Sequence, residues 1–162
     1  MRTCALSAGE FMRMNVTFRR TNFGCETCCT RADGSQASWE SAMAGPIPND
    51  VVHWVVENYF RLRSSFFGHI AAGEGPTSVK ELASPGTELS WTEMMVLNVQ
   101  GQLAVQQGGA HAAPQMLHAG YGVRYPDYCS AEDVANIVDA LESMRSRWSQ
   151  MEVGQSIEVT YP

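Results

Sequence analysis

The 162-residue chain holds no apolar run approaching the roughly 20 residues that a membrane-spanning helix needs. Its opening, Met1-Arg2-Thr3-Cys4-Ala5-Leu6, lacks the extended apolar stretch of a secretory signal. Both absences point to a cytoplasmic or other reducing, soluble compartment, or to a chain whose targeting segment has been removed. Basic charge is scarce: 11 Lys and Arg stand against 17 Asp and Glu, a formal charge of −6. Nucleic-acid binding relies on a basic field that displaces counterions from phosphates, so no nucleic-acid partner is expected. A local basic group, Arg13, Arg19, Arg20 and Arg31, reads as a solvated strand face. G-x-S-x-G, H-E-x-x-H and the lysine-bearing phosphate loop are all missing. Their absence sets aside the chemistries that those spacings serve.

What the chain does have is material for a core. Hydrophobic residues make up 44% and charged residues 17%, a balance that folds without metal or disulfide staples at this length. A single domain over residues 1–162 is expected, with no internal repeat and no linker.

Periodicity sets the elements. Met12, Met14, Val16 and Phe18 alternate with Arg13, Asn15, Thr17 and Arg19, the period of a half-buried strand. Ile157, Val159 and Tyr161 alternate in the same way at the other end. The two strands are expected to pair in one small sheet, which helices must cover. From Pro46 onward, Asn49 or Asp50 caps a helix whose apolar stripe runs through Val51, Val55, Tyr59, Leu62, Phe66 and Ile70 until Gly73. Trp54, Tyr59, Phe66 and, on the last helix, Leu141 are expected to be mainly buried.

Three further pairs resemble capping boxes. Ser78 with Glu81 opens a short turn, and Ser90 with Glu93 opens a helix through Met95, Val99 and Leu103. Ser130 with Asp133 opens a helix striped with Val134, Ile137, Val138, Leu141, Met144 and Trp148. The fold class is therefore α+β, predominantly helical, with about three main helices on a sheet formed by the terminal strands.

Chemistry is sparse. Residues 21–45 read as a long loop carrying Cys25-Glu26-Thr27-Cys28-Cys29. A C-x-x-C pair supplies two thiolates for zinc, and a tetrahedral site needs two more ligands. Cys25, Cys28, Cys29 and Cys129 are the candidate set, with free thiols in a turn as the simpler reading and no cofactor expected. His111 and His118, behind Gly108-Gly109, could line a pocket. His53 and His69 sit along the first helix, and neither is assigned a carboxylate partner.

Two segments resemble known families. His118-Ala119-Gly120-Tyr121-Gly122-Val123-Arg124-Tyr125 with Ser130-Ala131-Glu132-Asp133-Val134 is similar to a stretch of the YfbM-like bacterial family, whose first strand Met12–Arg20 also resembles. That likeness implies no activity. Trp54 and Arg61-Leu62-Arg63-Ser64-Ser65-Phe66-Phe67 resemble a helix of PsbQ-type extrinsic photosystem proteins, which implies a helix bundle. Each likeness covers single segments, and no family assignment follows.

The expected function is non-catalytic: an accessory subunit, inhibitor or immunity-type protein that works by contact with a protein partner, with homo-oligomers also open. Met and aromatic residues suited to adaptable contact surfaces motivate it. The alternative is a small metal-binding or thiol-dependent enzyme using the Cys25–Cys29 segment.

Overall fold

Four antiparallel strands in the order β3-β2-β1-β6 form the floor of the molecule. They are β1 (Met14–Thr21), β2 (Gly24–Arg31), β3 (Gln36–Ser41) and β6 (Ser156–Tyr161). The computed structural model describes residues 13–106 and 129–162. A second, two-stranded sheet pairs β4 (Met43–Ala44) with β5 (Ile47–Pro48).

The terminal strands pair as their alternation requires, with Val16 opposite Val159 and Phe18 opposite Ile157. Strand period 2 turns Met14, Val16, Phe18, Ile157 and Tyr161 toward the helices. The fold class is thus the expected α+β, but the sheet is twice as wide as two terminal strands.

The extra width comes from the segment read as a loop, and that reading is corrected. Residues 24–31 and 36–41 are strands, and turns are confined to 22–23, to Gly45 and to the link between the two strands. There the Ser35 amide donates to Asp33 Oδ1 at 2.8 Å. Gly34 takes φ 83°, a left-handed conformation that glycine reaches without a Cβ penalty. The strand signal was masked because β2 buries small residues, Cys25, Thr27 and Cys29, where large β-branched ones would announce a core face. Cysteine acts here as a small hydrophobe.

Among the described residues, five helices lie over one face of the sheet: α1 (Asn49–Phe60), α2 (Phe66–Ala71), α3 (Pro76–Glu81), α4 (Glu88–Gln106) and α5 (Ala131–Ser149). The first predicted helix is two. It stops at Arg61, which takes φ 54° in the left-handed region and donates its amide back to Asn58 O. The chain turns and resumes at Phe66, so a continuous bundle helix of the photosystem type is not formed.

Tight packing follows from the break. A Cβ on Gly68 would stand 2.1 Å from Arg63 O, so only glycine lets α2 lie against the turn. The Tyr161 hydroxyl donates to Leu62 O, tying the last strand to the same turn.

Two expected helix starts move. Pro76, not Ser78, opens α3, with Gly75 before it. Thr87 Oγ1 accepts the Ser90 amide at 3.1 Å, so α4 begins at Glu88, ahead of the Ser90–Glu93 pair. The Ser130–Asp133 capping box is present in both directions, and the predicted stripe of α5 is buried. Phe66 and Leu141 are buried as expected, Trp54 is half-buried, and Tyr59 is 37% exposed, donating to Asp133 Oδ1. One apolar cluster joins the inner sheet face to α1, α2, α4 and α5.

Candidate functional site

Helix α1 runs through the core with valines on nearly every side, yet it carries three buried titratable residues: Asp50, His53 and Glu57. Spacings of three and four place them on one face, one turn apart. Enclosed charge is costly unless paired, so their partners define what they do.

Asp50 binds the sheet. Its Oδ2 accepts from Thr27 Oγ1 on β2 and from Trp39 Nε1 on β3, both at 2.7 Å. The structure places Asp50 in the first turn of α1, with Pro48 at the cap position.

His53 binds across to α4. Nδ1 lies 3.6 Å from Glu57 Oε1 and Nε2 lies 3.6 Å from Glu93 Oε2. These are ion-pair separations, beyond good hydrogen-bond length. Burial pulls the imidazole down, but the two carboxylates outweigh it and hold it up at about 9. Glu57 is fully enclosed, and burial pushes its carboxyl up against the pull of His53. Its Oε2 accepts the Phe67 amide at 2.9 Å, which anchors the start of α2. Glu93 is held below the usual carboxylate range, chiefly by His53.

Phe66 connects the two halves of this stripe. Its ring stands edge-on to Trp39 at 5.7 Å and tilted against His53 at 5.6 Å. Asp50, His53 and Glu57 therefore fasten α1 to β2, β3, α2 and α4. A general base at neutral pH needs a free lone pair within reach of substrate. His53 is buried with a carboxylate facing each ring nitrogen, so the arrangement acts as a clasp.

No family model matches this chain, and no curated protein or solved structure does so either. What its residues can do therefore rests on their geometry.

The cysteine set is not brought together. Cys25 and Cys29 face the core on β2, while Cys28 lies on the opposite, open face between Thr17 and Ser38. Strand alternation rules out Cys25 and Cys28 chelating one ion as a loop C-x-x-C would. Burial raises the Cys25 thiol to about 12 and pushes Cys29 up further, so neither is a ready thiolate. Cys129 precedes α5 and is raised to about 11, again chiefly by burial. Among the described residues no cluster of three or more His, Cys, Asp or Glu is arranged to hold a metal. His111 and His118 lie outside the described residues.

The arginines separate. Arg19 pairs with Glu26 on the open face. Arg20 donates to Trp148 O at 2.9 Å and Met151 O at 2.8 Å, at the end of α5. Arg31 donates to Ile70 O at 2.6 Å and Glu74 O at 3.2 Å, at the end of α2. Cations suit helix C-termini, where unpaired carbonyls gather. Arg13, exposed just ahead of β1, and Arg19 keep the expected solvated face, while Arg20 and Arg31 do not.

Sequence reasoning missed Glu57 and the role of Glu93. The signal was available: Glu57 lies four residues after His53 on a helix that is otherwise apolar nearly all round. Among the described residues no helix is long and apolar enough to cross a membrane.

Proposed function

We propose that this protein acts as a non-catalytic binding module, holding a protein partner at one end of its sheet. One observation carries this reading. Phe23, in the two-residue turn between β1 and β2, is 96% exposed. Met43, 40% exposed, lies over Gly24 beside it: a Cβ there would stand 3.4 Å from Met43 Cγ.

The tip contributes nothing to the core, and a hairpin paired along its whole length presents it. Aromatic anchors entering a partner's pocket dominate many interfaces. On the adjoining open face Glu40 stands opposite Glu26, which Arg19 pairs, so the Glu40 carboxylate favours a basic group on the partner's rim. The titratable stripe supports the same reading, since its groups are spent on holding helices to sheet.

The test is capture with a photo-reactive side chain at position 23, alongside Phe23→Ser and a melting curve for each variant. A discrete protein that binds wild type and is lost with Phe23→Ser, at unchanged melting temperature, supports the reading. An identical set of captured proteins with both sinks it.

A further inference from the structure

Strand β3 closes one side of the sheet, and its sequence does little to protect that edge. Exposed edges are commonly blunted by lysine, proline or a bulge. Gln36–Ser41 has no lysine or proline, and it pairs with β2 in an unbroken register over six positions. Among the described residues, no backbone hydrogen bond is made along its outer side. Gln36, Ser38 and Glu40 are exposed, and Ala37 and Trp39 are half-buried on the helix side.

We propose that β3 pairs antiparallel with β3 of a second copy, about a two-fold axis at Ser38. This register sets Gln36 against Glu40 and Ala37 against Trp39, twice each by symmetry. Each contact has a physical reason. Within one chain Glu26 is paired with Arg19, and Glu40 opposite it keeps its carboxylate for a donor across the edge. The Gln36 amide spends one hydrogen on Thr30 Oγ1, at 3.1 Å, and keeps a second for the facing Glu40 carboxylate. On the helix side, the Trp39 indole is held by Asp50, and alanine is the small residue that leaves it room.

Neighbouring registers lose these pairs. An axis at Trp39 stacks two fixed indoles against each other and sets Glu40 against Ser38. An axis at Ala37 carries Gln36 onto Ser38, leaving Glu40 no donor.

The paired molecule would have a continuous eight-stranded sheet, twice the four strands of one chain. The two Phe23 tips would sit at opposite ends. The pairing stands independently of the partner reading above, because it is tested on the purified chain alone.

The experiment uses the full chain carrying Cys28→Ser, with Gln36→Cys and Glu40→Cys prepared separately. Directly opposed residues have Cα atoms about 4.5–5.5 Å apart, within disulfide reach. Mixing the two variants under mild oxidation is expected to give a crosslinked dimer, well above either variant alone. Light scattering is expected to give twice the chain mass for wild type. Ser38→Lys, which opposes two lysines at the axis, is expected to halve that mass without changing the circular dichroism spectrum. A wild-type monomer at tens of micromolar, or crosslinking equal in the mixture and in single variants, overturns the proposal.

Discussion

The Glu57 carboxylate receives the Phe67 amide at 2.9 Å on one oxygen, while its other oxygen lies 3.6 Å from His53 Nδ1. One buried acid thus fixes both the entry of α2 and the charge state of α1. Glu57→Ala leaves the Phe67 amide without its acceptor and His53 with Glu93 alone. The expected loss is about 3–5 kcal/mol, the usual cost of breaking a buried pair. Glu57→Gln keeps an acceptor for Phe67 and should cost less. Urea titration measures both, and equal losses would show that charge matters and the amide does not.

Alkaline pH should weaken the fold. His53 is raised in the folded state from 6.5 to about 9. Its contribution is therefore complete below pH 6.5 and is lost as pH rises through 9. Glu93, held low, adds stability above its ordinary value of 4.5 that is lost on acidification. Glu57, raised by burial, has the opposite slope, its contribution being lost as pH rises above its ordinary value of 4.5. Melting temperatures between pH 6 and pH 10 check the alkaline limb, which His53→Gln should flatten.

Gly68→Ala is expected to cost about 3 kcal/mol, the upper end of the usual overpacking range, because the added methyl meets backbone that cannot yield as a side chain would. The contact is at 2.1 Å from Arg63 O. An urea midpoint near that of wild type would mean that α2 does not lie against the Arg63 turn.

Arg61→Gly should stabilise the protein by roughly 0.5–1 kcal/mol, since glycine relieves a left-handed residue at a small unfolded-state cost. Arg61 is exposed with φ 54°, so no packing is given up. A measured loss would show that the side chain has a role of its own.

Thiol labelling at pH 8 should modify Cys28 in the native protein and reach Cys25 and Cys29 only after unfolding. The two inward thiols are buried and raised, while Cys28 lies on the open face. Joint protection of Cys25 and Cys28, reversed by a chelator, would restore the zinc reading.

The elements legible in sequence were those with large apolar residues at a clean period. β1, β6 and α5 qualify, the last with a capping box in addition. β2 and β3 did not announce themselves, because Cys25, Thr27, Cys29, Ala37 and Ser41 make a core face from small or polar side chains. The break at Arg61 was hidden, since no proline or glycine marks it and Leu62 and Phe66 continue the helical stripe. The clasp was half legible. His53 and Glu57 are neighbours on any helix, but Glu93 comes from an element whose position only tertiary packing decides. Its i−3 serine made it read as a cap.

Arg20 and Arg31 stand at diagonally opposite corners of the β1–β2 hairpin, one opposite Cys25 and the other opposite Met14. Each reaches up to the last carbonyls of a different helix. A sheet braced in this way cannot fray from either corner while its helices stay docked. Opening the hairpin releases the final turns of α2 and α5, elements far apart in sequence. In amide hydrogen exchange, those two turns should therefore open with the hairpin as one cooperative unit.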